Sequence, residues 1–188
     1  PTNDFHAIID NMAGNWRDVP DERLRFSIAP HFNHRHTPEH SITEYLWFEE
    51  HLKGASFKMP RTPQIMLNLQ TSSGVPSVIV TPDESRPVRR VDIYYSLDPH
   101  TLTRFWRDAR AVKDGAQWKA ECPVMSVDQP IFVYANVAYE TPTEYRNSPQ
   151  QVGGEDSDTF AISSRVLSAS AAQLRAAKVK ATDQPERL

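Results

Sequence analysis

From residue 64 onward, apolar residues fall at every second position in short runs broken by turn residues. A period of two sends side chains to alternate faces of a strand, so such runs must pair into sheets that bury at least one face. The runs cover about residues 64–70, 76–82, 88–98, 104–112, 117–124, 130–140 and 158–167. In one, Val91, Ile93, Tyr95 and Leu97 alternate with Arg90, Asp92, Tyr94 and Ser96; in another, Trp118, Ala120 and Cys122 share a face. Asp114-Gly115 between two runs is a hairpin signal. Seven short strands in about 100 residues predict an immunoglobulin-like or fibronectin-like β-sandwich over residues 64–170. Residues 141–157 read as a long polar loop. The polar tail over 171–188 starts with a short helix through Leu174 and Ala177.

The first 54 residues carry a different pattern. Ile8, Met12 and Trp16 lie four apart, with Ile9 beside them, and predict a helix over about 6–18. Asp18, Pro20 and Asp21 mark a turn. Leu24, Phe26 and Ile28 alternate with Arg23, Arg25 and Ser27, which predicts a strand over 23–29 with one wet face, stopped by Pro30. Thr37 and Pro38 read as the N-cap and first position of a second helix through Ile42, Tyr45, Leu46, Phe48 and Leu52, ended by Gly54. Helix, strand and helix in this order are the last elements of a doubly wound α/β domain. Lys58, Pro60, Arg61 and Pro63 mark 55–63 as a linker.

Charge and composition exclude some functions. With a hydrophobic share of 39%, a charged share of 24% and a net charge of -3, nothing favours nucleic acid or an anionic membrane as partner. Cys122 is the only cysteine, so no internal disulfide is possible, and the compartment stays open.

Two residues can carry chemistry. Asp4 stands just before the first helix, and His34 just after the strand, in Ala29-Pro30-His31-Phe32-Asn33-His34-Arg35. In an open parallel sheet both lie at the carboxyl ends of successive strands, where ligands and catalytic groups gather. A carboxylate there can hold an imidazole in one tautomer, and the imidazole can take a proton from a serine hydroxyl. The same positions also suit a helix-entry turn and a surface histidine. Asp10 is the reserve candidate for the acid and His31 for the base.

The runs Thr2-Asn3-Asp4-Phe5-His6, Ala29-Pro30-His31-Phe32-Asn33-His34-Arg35 and Glu44-Tyr45-Leu46-Trp47-Phe48 resemble bacterial α/β-hydrolases of the dienelactone hydrolase and acetyl xylan esterase type. They also resemble the PhoPQ-activated pathogenicity-related proteins. The likeness continues weakly through Tyr94-Tyr95-Ser96 and Phe105-Trp106-Arg107. The resemblance implies a serine carboxylic-ester hydrolase in which Asp4 is the triad acid, His34 the base, and a β-sandwich follows the hydrolase domain. It implies no cofactor, and a small ester or acylated carbohydrate as substrate. The departure is that no G-x-S-x-G and no glycine-rich oxyanion loop occur. Ser72-Ser73-Gly74 reads as a hairpin turn. The chain is therefore expected to be the C-terminal part of a longer hydrolase, or of one that lost catalysis. Its expected partner is the upstream part of that domain or a second chain. Ile8, Met12, Trp16, Ile42, Leu46 and Leu52 present more apolar surface than one sandwich is expected to cover, which favours the longer parent.

Three other groupings have blander readings. His31, His34, His36 and His40 lie close together but match no familiar metal-site spacing, so no metal site is assigned. Tyr94, Tyr95, Phe105, Trp106 and Trp118 could line a sugar-binding face but more often fill a core. Arg89, Arg90, Arg104 and Arg107 read as solvated strand faces. A non-catalytic binding or interface module built on the sandwich is the competing function.

Overall fold

The computed structural model describes residues 1–146 and 157–182. Most of the polar loop expected over 141–157, and the end of the tail, lie outside them. The alternating runs pair as strands: β1 Gln64–Asn68, β2 Ser77–Thr81, β3 Val88–Ser96, β4 Arg107–Ala109, β5 Val112–Asp114, β6 Gln117–Glu121, β7 Ile131–Glu140, β8 Thr159–Ser163 and β9 Leu167–Ala169. One sheet has the order β1-β2-β6-β5 and the other β4-β3-β7-β8, with β9 also on β7. Every strand pair is antiparallel. Val78, Val80, Ala120 and Cys122 from the first sheet meet Val91, Ile93, Tyr95, Val133, Ala135 and Val137 from the second in one core. The architecture is a β-sandwich.

Two predicted runs each divide in two. The run 104–112 holds β4 and the start of β5, and 158–167 holds β8 and the start of β9. At the second break, Ser164 binds Ala135 twice: its N–H donates to the Ala135 carbonyl at 2.8 Å, and its hydroxyl accepts the Ala135 N–H at 2.9 Å. The side-chain bond replaces a ladder bond, and the chain steps before pairing with β7 again. Both hairpin turns are built as their sequences predict, with Gly115 at φ 61° and Gly74 at φ 79°, where a Cβ is disfavoured.

Strand β7 is buried on both faces, which accounts for its nearly unbroken apolar run. Its outward face needs a cover, and the N-terminal segment supplies it. Ile9, Leu24, Phe26 and Ile28 pack with Tyr94, Trp106 and Tyr134 in a second core. Of the aromatics considered for a sugar platform, Tyr94, Tyr95 and Trp106 are thus buried, Trp118 is half-buried, and only Phe105 is exposed.

The first segment departs from its expected form at several points. Helix α1 runs over Ile9–Asn15, shorter than the predicted 6–18. The Asp4 carboxylate accepts the N–H groups of His6 and Ala7, which folds those residues into a turn instead of helix. Residues 24–28 keep their alternating burial but form no ladder. Among the described residues their one bridge joins Phe26 to Ser163, antiparallel. Side chains do the rest: Ser163 Oγ accepts the Ile28 N–H at 2.8 Å, Asn136 Nδ2 donates to the Ile28 carbonyl at 2.9 Å, and the Thr62 hydroxyl donates to the Leu24 carbonyl. Among the described residues this segment joins no parallel sheet.

Helix α2 spans Pro38–Leu52, with Thr37 as N-cap and Gly54 at φ 66° after its end. Contrary to the expectation from apolar area, the sandwich covers much of its face. Ile42 and Leu46 are fully buried in the main core with Phe160 and Ile162. Each contributes roughly 1.5–3 kcal/mol of burial. Thr43 Oγ1 also meets both the carbonyl and the N–H of Ala161 at 3.1 Å, which closes the outer edge of β8. Leu52 stays 75% exposed. Residues 55–63, read as a linker, carry Phe57 and Met59 into the same core as Ile42. The tail helix α3, Ala171–Ala176, is held by a capping box from Ser170 and Gln173 and buries Leu174.

Arg104 is the clearest correction to the reading of arginines as solvated. Its side chain is fully buried, lies over the Phe132 ring at 3.6 Å, and makes a two-pronged ion pair with Asp10 at 2.7 and 3.0 Å.

Candidate active site

Asp4 and His34 meet. His34 Nδ1 lies 3.1 Å from Asp4 Oδ2. The chain reaches this contact because the first residues run beside 29–32: Thr2 N–H donates to the Ala29 carbonyl at 2.9 Å and Asn3 N–H to the Phe32 carbonyl at 3.0 Å. His31 sits at the bend with φ 63°, an uncommon backbone for a residue with a Cβ, and its N–H donates to Thr2 Oγ1. Asn3 ties this corner to the sandwich, its amide donating to the carbonyls of Leu102 and Arg104.

The carboxylate is well fixed. Asp4 is buried, and its Oδ1 accepts the N–H of His6 at 2.7 Å and of Ala7 at 3.1 Å. Burial alone pushes its carboxyl pKa up; the two backbone hydrogen bonds and the bond to His34 outweigh that and hold it at about 2. Asp4 is therefore an ion at neutral pH and can only accept. The facing His34 Nδ1 must carry the proton, which leaves the lone pair of the neutral ring on Nε2. The His34 side chain is 66% exposed, so that edge of the ring opens outward.

The reserve candidates lie elsewhere. Asp10 is engaged by Arg104 and accepts the Thr101 hydroxyl at 2.8 Å. The His31 ring packs on Phe105, with centroids 5.4 Å apart. Sequence reasoning missed Thr2, Asn3 and His6, the residues that pin the corner. Asn3 gave no signal because its partners are about a hundred positions away.

The four histidines of the loop do not converge. Among the described residues no group of three or more His, Cys, Asp or Glu is placed to hold a metal ion. His40 instead packs into the start of α2, its Nδ1 2.7 Å from Thr37 Oγ1. Burial pushes its pKa down to about 4. The unfolded chain binds this proton near the ordinary histidine value of about 6.5, so it gains a proton before the fold does. Stability from His40 is complete above about pH 6.5 and is lost as pH falls toward 4, by at most about 3 kcal/mol. Urea unfolding followed by circular dichroism should show this decline, and His40→Gln should flatten it. An equal decline in the variant would assign it to other groups.

No family model matches the chain, and neither a curated protein nor a solved structure matches it.

Proposed function

We propose that Asp4 and His34 are the acid and base of a catalytic triad in a carboxylic-ester hydrolase, whose nucleophilic serine lies outside this chain. The observation that carries the reading is the ionised, doubly anchored Asp4 carboxylate on Nδ1 of an outward-facing imidazole. In the reaction His34 Nε2 takes the serine proton as Oγ attacks the ester carbonyl, then returns it to the leaving alcohol. Asp4 holds the ring and offsets its transient positive charge. No cofactor takes part. The substrate class is a small ester or an acylated carbohydrate.

Two features support the wider family reading. The segments before and after α1 lie side by side, with Thr2 N–H on the Ala29 carbonyl and Asn3 N–H on the Phe32 carbonyl, and this sets an acid beside a histidine that follows it in the chain, the α/β-hydrolase order. The strand order β1-β2-β6-β5 over β4-β3-β7-β8 is also the order of an immunoglobulin-like Greek key. A second reading, a non-catalytic binding or interface module, draws on the lack of any G-x-S-x-G in the chain. In that case the Asp4–His34 pair is a clasp between two loops.

The first test needs only this chain. Nitrogen NMR of neutral His34 should show the Nδ1–H tautomer. Hydrolysis of an aryl ester by the chain alone should stay at background. A dominant Nε2–H tautomer, or hydrolysis that His34→Ala abolishes, would contradict this assignment of parts.

A further inference from the structure

A second imidazole stands beside the acid–base pair. The rings of His6 and His34 have centroids 5.0 Å apart and meet edge-on at 70°. Both residues are exposed. The same carboxylate steadies both. Asp4 Oδ1 accepts the His6 backbone N–H, while Oδ2 faces His34 Nδ1. With Asp4 on Nδ1, the lone pair of neutral His34 lies on Nε2, the nitrogen that faces away from the carboxylate. A carboxylate behind the far nitrogen is the usual outer partner of a metal-binding histidine, because it fixes the tautomer and raises the ring's basicity. Two imidazoles on metal–nitrogen bonds of about 2.0–2.1 Å, at a near-tetrahedral angle, bring their centroids to about 5 Å. The observed spacing is of that size.

We propose that His6 and His34 form a two-imidazole chelate for a divalent ion such as Zn2+ or Cu2+, with water in the remaining positions and Asp4 as the outer carboxylate. Imidazole donors select this class of metal over Mg2+ and Ca2+, which prefer oxygen ligands. With only two protein ligands the site is open and exchangeable, unlike the closed four-ligand sites that hold folds together. The consequence rests on the proposed function: a metal on His34 Nε2 occupies the lone pair that would accept the serine proton, so the bound ion inhibits the hydrolase. Among the described residues neither His31, which packs on Phe105, nor His40, which is buried against Thr37, has a ring contact with His6 or His34, so neither belongs to this chelate.

The test is calorimetric titration of Zn2+ into the 188-residue chain at neutral pH, with copper electron paramagnetic resonance to count bound nitrogens. One strongest equivalent is expected. His6→Ala and His34→Ala should each weaken it at least tenfold, and Asp4→Asn about tenfold. His31→Ala and His36→Ala should change it less than twofold. The copper spectrum should lose one nitrogen in either chelate variant. Matching unfolding curves will show that the exposed substitutions leave the fold intact. Absence of Zn2+ binding, an affinity that His6→Ala and His34→Ala leave unchanged, or an equal loss in His31→Ala overturns the proposal. The readout is binding to the chain alone, so it stands or falls separately from esterase activity.

Discussion

In a protein that joins this chain to its nucleophile, Asp4→Asn is expected to lower kcat for ester hydrolysis by about four orders of magnitude, with little change in KM. The geometry gives a specific reason. Position Oδ1 accepts two backbone N–H groups, from His6 and Ala7. In the asparagine variant only the amide oxygen can take that place. The amide nitrogen must then face His34, where it donates. His34 Nδ1 is turned from donor to acceptor, and its proton moves to Nε2. A ring protonated at Nε2 cannot receive the serine proton, although every atom stays near its place. Stability should fall by only about 1 kcal/mol, since the backbone bonds survive in neutral form. His34→Ala should be at least as damaging to kcat. Nitrogen NMR and steady-state kinetics on the same variant check both halves. A tautomer switch with unchanged kcat would remove Asp4 and His34 from catalysis and leave them as a clasp.

Asp10→Ala should do the opposite, costing about 3–4 kcal/mol of stability. Asp10 is the other acid the sequence offers, but in the fold it serves Arg104. The Arg104 guanidinium is fully buried, and among the described residues its remaining acceptors are the carbonyls of Asp98 and Pro99. Without the carboxylate, a buried charge is left short of compensation, which is where most of the cost of breaking such a pair arises. Adding Arg104→Met should recover part of the loss, because it removes the stranded charge and keeps an apolar side chain on Phe132. Denaturant unfolding of the single and double variants measures this. A loss below about 1 kcal/mol for Asp10→Ala would mean that Arg104 finds water or another acceptor. The two aspartates thus separate cleanly, one expected to move rate and the other stability.

What the sequence determined by itself is the local structure. The period-two runs beyond residue 64 became strands because alternation is a property of a single strand and is legible before its partner is known. Asp114-Gly115 and Ser73-Gly74 made their turns because positive φ is set at one residue. Thr37, Pro38 and Gly54 bounded α2 because capping is decided within one helical turn. The approach of Asp4 to His34 was also legible, since one helix and one returning segment separate them. Tertiary structure decided the rest, through partners far away in the chain. Leu24, Phe26 and Ile28 carry a strand's pattern, yet Ser163, Asn136 and Thr62 take their backbone groups by side chain, so no ladder forms. Arg104 looks like any surface arginine until Asp10, 94 positions before it, and Phe132 from strand β7 close on it. The apolar face of α2 implied a missing cover, and β8 supplied it. Alternation and capping are short-range effects that each segment meets alone. Burial and charge pairing are set by which segments meet, and only the folded chain fixes that.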